Sequence, residues 1–142
     1  MKDSIKKEQV FKHSIDKVWK AITIGEEIST WFISADFKAE EGYRYTFIAP
    51  KEENCTPITG IVQKATPYTL IYTWIVEGTD VETKVTWRLE KIDEGTKLYL
   101  EHSGISNYSA ETAIHMFTSF NGGWDNCISK LSQYLIQEVH AG

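Results

Sequence analysis

His102, Ser103, His115 and Cys127 are the side chains in this chain whose types could do chemistry, and their spacing limits what that chemistry is. Ser103 follows His102 directly, and neighbours on a strand point to opposite faces, so the two cannot form a nucleophile and its base. His102 falls on the inward side of its strand. Desolvation there lowers its pKa and leaves a neutral imidazole that can orient a ligand hydroxyl or carbonyl. A histidine near a strand end bonded to backbone is the more ordinary reading of the same position. His115 sits at the entrance to a helix, where it suits a pocket mouth or a solvated surface, while His13 and His140 lie at element ends. Cys127 lies on the buried side of a helix with nothing basic visibly near, a poor setting for a thiolate nucleophile. Nucleophile elbow, H-E-x-x-H, C-x-x-C and phosphate-cradling glycine loop are all missing. The expectation is therefore no catalytic residue, no metal ligand and no cofactor.

Composition narrows the classes further. The 142 residues fit one domain, 1–142, with 42% hydrophobic, 13% aromatic and 25% charged residues, enough rings to line a large interior. Fifteen basic against twenty acidic residues leave a net charge of −5, which disfavours nucleic acid, because phosphate binding needs a concentrated basic surface. Lysines cluster early (Lys2, Lys6, Lys7, Lys12, Lys17, Lys20), as a small basic patch or as an ordinary solvated face, and Arg44 and Arg88 are the only arginines. No apolar run reaches the roughly 20 residues of a membrane span, and "MKDSIKKEQVFKHS" lacks a signal-peptide core. Cys55 and Cys127 are too few for a disulfide framework and show no metal spacing. These features predict a cytoplasmic protein with free thiols.

The elements that must position the chemistry follow from periodicity. "SIKKEQVFKH" reads as a first strand, and Ser14 as the N-cap of "IDKVWKAIT", where Ile15, Val18, Trp19 and Ile22 form an i, i+3, i+4, i+7 stripe. Gly25 ends that helix, and "EEISTWF" forms a second short one carrying Ile28, Trp31 and Phe32 inward. Strands follow in close succession. "YRYTFIAP" sets Tyr43, Tyr45 and Phe47 on one face. "PITGIVQKATP" ends at Pro67, with Gly60 at a bulge or close approach. "YTLIYTWIVEG" turns Leu70, Tyr72, Trp74 and Val76 inward, "VETKVTWRLEKID" Val85, Trp87 and Leu89, and "TKLYLEHSG" Leu98, Leu100 and His102. Helices segregated from a run of hairpin-linked strands predict an α+β fold with an antiparallel sheet of about six strands.

A long C-terminal helix completes the pattern. Phe117, Phe120, Trp124, Ile128, Leu131 and Leu135 fall within about 80° on a helical wheel, so one broad apolar stripe must lie on the sheet. Gly122 and Gly123 interrupt it, each costing roughly 1 kcal/mol against alanine. Gly123, beside Cys127 and Tyr134, suits a close approach by strand or ligand. Gly122 points outward, which predicts a break or kink fed by a less regular segment around 109–118.

Five segments in this order carry a resemblance: "SIDKVWKAIT" with the following "WF", "TPYTLIYTW", "VTWRLEKIDEGTKLYLEHSGI" and "GGWDNCISKLSQYL". Over roughly residues 8–135 the chain resembles the SRPBCC (START and birch-pollen-allergen-like) superfamily, and within it the bacterial homologues of the heat-shock protein 90 ATPase activator. "KAEEGYRY" departs from the pattern, with Gly42 alone where the family often has a glycine pair. The resemblance implies a helix-grip fold, a strongly curved antiparallel sheet wrapped around the long C-terminal helix after two short helices. Many members of the superfamily hold a hydrophobic ligand between the two.

On that frame the expected ligand-binding residues are Phe47, Tyr72, Trp74, Trp87, Leu100 and His102 from the sheet, Trp31 from the short helix, and Phe117, Phe120 and Trp124 from the long one. An apolar cavity for a small hydrophobic or aromatic molecule and a filled aromatic core both fit this set. A pocket of about 300 Å³ or more separates them. Two other classes stand beside binding. One is a chaperone-associated interaction module, with Trp31, Phe32 and Phe37 partly exposed in "EEISTWFISADFKAEE". The other is a cyclase- or hydrolase-like enzyme in which His102 works with a carboxylate such as Glu77 or Glu101. A homodimer is compatible with each.

Overall fold

The computed structural model describes residues 3–48 and 57–141; Cys55 lies outside them. The chain runs β1 (Ile5–Phe11), α1 (Ile15–Thr23), α2 (Gly25–Trp31), β2 (Ser34–Asp36), β3 (Arg44–Ile48), β4 (Ile58–Thr66), β5 (Thr69–Val76), β6 (Thr83–Ile92), β7 (Gly95–Ser103), a 3-10 turn (Ile105–Asn107) and α3 (Ala110–Ala141). All strands pair antiparallel in one curved sheet of order β1-β7-β6-β5-β4-β3-β2. The fold is thus the expected α+β helix-grip arrangement, with seven strands among the described residues rather than about six. The added strand, β2, has three residues, too few for alternation to show. It forms because Ser34, Ala35 and Asp36 pair with Ile48, Phe47 and Thr46, while Ser29 Oγ accepts from the Ala35 amide at 3.0 Å. Among the described residues no helix is long and apolar enough to cross a membrane.

Side-chain alternation decides which face is covered. On β5, β6 and β7 the buried rings and aliphatic side chains are Leu70, Tyr72 and Trp74, then Val85, Trp87 and Leu89, then Leu98, Leu100 and His102, with Thr73, Thr83 and Thr96 also buried. The register places Leu70 opposite Trp87, Trp87 opposite Leu100 and Val85 opposite His102, so the large rings come from adjoining strands on one face. Gly60 fills a close approach. A Cβ there would stand 2.1 Å from the Thr73 carbonyl oxygen, and the bulge falls further on, between Val62 and Lys64.

Ser14 caps α1 by accepting from the Lys17 amide, and Val18 and Ile22 are buried. Gly25 does not close that helix but opens α2. A Cβ at Gly25 would stand 2.7 Å from the Phe37 carbonyl oxygen, because the chain after β2 runs back over it.

Helix α3 corrects two expectations. It is continuous from Ala110 to Ala141, helical through both glycines, with neither a break nor an irregular 109–118 segment. A Cβ added at Gly122 or at Gly123 would meet nothing within 4 Å, so Gly123 makes room for no neighbour. Its C-terminal half is the anchor, with Trp124, Cys127, Ile128, Leu131, Tyr134 and Leu135 all buried. Replacing either glycine by alanine is expected to raise the free energy of unfolding by about 1 kcal/mol. Urea titration of G122A and G123A checks this, and a loss of stability in either would show that the glycine meets a need of the folded state.

Candidate functional site

The inward faces of β3, β5, β6 and β7 meet α2 and α3 in a continuous cluster of rings. Trp124, from α3, stands at its centre, 5.2 Å between ring centroids from Trp74, 5.8 Å from Trp87 and 5.9 Å from His102. Phe120, one turn earlier, stacks on the His102 imidazole at 4.6 Å and 25° and meets Trp74 edge-on at 6.1 Å. Phe47 lies 6.1 Å from Tyr72 and 6.3 Å from Trp74. Of the ten expected residues, Trp31, Phe47, Tyr72, Trp74, Trp87, Leu100, His102 and Trp124 are buried. Phe117 and Phe120 are partly buried and packed against the core.

Among the described residues the interior is packed. Between α1, α2 and the sheet there remains a cavity of about 10 Å³, lined by Ile22, Ile28, Trp31, Phe32, Phe37, Phe47, Tyr72 and Trp87. That is room for about one water and far below the roughly 300 Å³ of a preformed ligand pocket. Of the two alternatives left open by the sequence, this conformation has the packed core. Four of the lining residues, Ile22, Ile28, Phe32 and Phe37, were not expected to line a site. The helical stripe of α1 and the i, i+4 spacing of Ile28 and Phe32 were the signal for three of them; Phe37 lies in a non-repetitive stretch with no period to read.

Buried polar groups are wired into this core. Trp31 Nε1 donates to the Ala21 carbonyl at 2.8 Å and Trp87 Nε1 to the Tyr72 hydroxyl at 2.9 Å. Trp124 Nε1 donates to His102 Nδ1 at 2.9 Å, which fixes that nitrogen as the acceptor. His102 Nε2 therefore carries the proton and donates to Thr83 Oγ1 at 2.7 Å, and Thr83 Oγ1 donates onward to the Trp74 carbonyl at 3.2 Å. The histidine is neutral, fully enclosed, and its pKa is pushed down to about 4 by burial. Burial also pushes the Tyr72 hydroxyl and the Cys127 thiol up, which makes Cys127 the weak nucleophile its helix position suggested.

These contacts remove two expectations. Both His102 nitrogens are engaged inside the protein and, among the described residues, neither is bonded to a carboxylate, so His102 is not set up to orient a ligand or to act as acid or base. Trp31 and Phe37 are buried and Phe32 is half-buried with its ring stacked on Trp31, so the apolar patch foreseen for a protein partner is not exposed. Two lysines of the early cluster are likewise committed. Lys7 Nζ pairs with Asp125 at 2.8 Å and donates to Asn121 Oδ1 at 2.7 Å, and Lys17 Nζ donates to the Leu135 carbonyl.

Two buried groups stand out from this economy, the Tyr108 hydroxyl and the Trp74 indole. Among the described residues, the Trp74 indole N–H has no hydrogen-bond partner although its residue is only 5% exposed.

Comparison with known proteins places this architecture. The family model described as Activator of Hsp90 ATPase homolog 1-like protein matches residues 12–136. The chain is similar to the crystal structure of protein MLL2253 from Mesorhizobium loti, at 27% identity and a TM-score of 0.84, over 94% of this chain and 97% of that one. It is similar to the solution structure of protein BH1534 from Bacillus halodurans, at 29% identity and a TM-score of 0.74, over 93% and 96% of the two chains. CalU16 from Micromonospora echinospora follows at 25% identity and a TM-score of 0.70, over 97% and 79%. No curated protein matches the chain.

Proposed function

We propose, from the premise that this chain belongs to the family of Activator of Hsp90 ATPase homolog 1-like proteins, that it binds a small hydrophobic or aromatic molecule between its curved sheet and α3. The observation that carries this reading is the unpartnered Trp74 N–H. An unsatisfied buried donor costs about 1–3 kcal/mol, and Trp31, Trp87 and Trp124 all satisfy theirs within the same core. A donor left bare among aromatic rings suits a bound molecule that brings its own acceptor. Since the interior is closed without that molecule, binding requires the core to open, and the ligand takes space now held by a side chain.

The test is native mass spectrometry of protein purified from its own host, with a denatured control to identify what is released. The expected result is one small molecule per chain, and adding it back to stripped protein quenches tryptophan fluorescence to saturation. An empty chain whose fluorescence also ignores a panel of apolar aromatics would overturn the reading. The activator-like alternative, a module docking on a chaperone, has no comparable support once Trp31 and Phe37 are seen to be buried.

A further inference from the structure

Helix α3 is fastened unequally along its length. After Gly123 its inward residues, from Trp124 to Leu135, are buried. Before Gly122 the only fully buried residue is Ala113; Met116, Phe117 and Phe120 are half-buried, and Ile114 is 59% exposed. The change falls at the two glycines, where open space means that no neighbour demands the absence of a side chain. Their remaining property is backbone freedom. A polar tie spans them. Lys7, from β1, holds Asn121 on one side of the pair and Asp125 on the other.

Phe120 sits just before this point. Its ring covers the face of a neutral imidazole, stands edge-on to Trp74 and lies 6.4 Å from Tyr108. It thus occupies a slot walled by aromatic rings, next to the indole whose N–H has no partner.

We propose that α3 bends at Gly122 and Gly123, that residues 110–121 swing off the sheet and withdraw Phe120, and that the vacated slot takes a planar aromatic molecule bearing an oxygen acceptor. The ring of that molecule stacks on His102 as Phe120 does, and its oxygen accepts from the Trp74 N–H. Lys7 sets the closed position by tying both sides of the bend to β1. This inference rests on the binding reading above and adds to it the route in and the chemical class. Phe120 is the plug of the site, and the glycine pair is its hinge.

Two probes of similar size separate the parts: coumarin, which carries a carbonyl acceptor, and naphthalene, which carries none. Stopped-flow tryptophan quenching should show coumarin binding to the wild type, with association slowed tenfold or more in the G122A/G123A variant and accelerated in K7M. F120A should bind both probes, and the glycine substitutions should no longer slow it. W74F should weaken coumarin at least fivefold and leave naphthalene binding to F120A unchanged. Amide hydrogen exchange on the wild type gives a readout free of probes and variants, with residues 110–121 exchanging at least tenfold faster than 124–135.

Equal association rates for wild type and G122A/G123A, or equal exchange in the two halves, overturn the hinge while leaving binding intact. Unchanged coumarin affinity in W74F overturns the acceptor class. If coumarin binds F120A but not the wild type, the plug never withdraws and the inference falls. If neither protein binds either probe, the inference falls with the binding reading beneath it.

Discussion

Between pH 6.5 and pH 4 this protein is expected to lose about 3 kcal/mol of stability through His102 alone. Unfolded, the imidazole takes up a proton near its ordinary value of 6.5, whereas in the core burial holds it neutral down to about 4. Across that window the unfolded chain binds a proton that the folded chain refuses, so falling pH favours unfolding, and the full contribution is present above pH 6.5. Urea titrations of the wild type and H102Q at pH 7, 5.5 and 4.5 measure it. H102Q should be less stable at pH 7, since it breaks the link from Trp124 to Thr83, yet its stability should fall less steeply below pH 6.5. Taking the difference between the two proteins cancels His13, whose pKa is also lowered, by desolvation and then by Lys17. Parallel slopes would mean that His102 is protonated in the folded state or reached by water.

The second large effect is expected at Trp124. Truncation to alanine removes a buried indole from the centre of the ring cluster, which typically costs 3–5 kcal/mol. It also leaves His102 Nδ1 without its donor, for a further 1–3 kcal/mol or so. W124A should therefore lose at least about 4 kcal/mol, enough to unfold a domain of ordinary stability. W124F keeps most of the ring packing and isolates the hydrogen bond, at about 2 kcal/mol. A double-mutant cycle of W124F with H102Q should show a coupling of about 1 kcal/mol or more. Additive losses would mean that the bond contributes nothing to stability and the indole acts by packing alone.

The sheet was legible because its physics is periodic. Alternation on β5, β6 and β7 placed Tyr72, Trp74, Trp87, Leu100 and His102 on the covered face without reference to any partner strand. Ser14 was legible as a cap because capping is settled within four residues. What local pattern cannot hold is the identity of distant partners. Nothing near His102 points to Thr83 or Trp124, and without them its buried ring could equally be a ligand's hydrogen-bonding partner. The same blindness affected Phe37, whose acidic neighbours suggested a surface although its ring lies inside, whereas the helical stripe had already turned Trp31 inward. The glycines misled for a different reason. A helix broken by weak formers is a statement about isolated segments, and in α3 the buried C-terminal half outweighs the roughly 2 kcal/mol that the pair costs.

The pairing of β1 with β7 has a consequence for how the molecule is made. Ile5 lies opposite His102 and Phe11 opposite Thr96, and Asp3 reaches Gly104 and Ser106. A chain synthesised from its N-terminus therefore releases its first strand long before that strand's partner exists, and the strand must wait in solution. Its middle residues, Lys6, Lys7, Glu8 and Gln9, are charged or polar, and such strands do not recruit strangers while unpaired. Contacts this far apart in sequence also slow folding. The edge strand whose partner is synthesised last is the one written to tolerate delay.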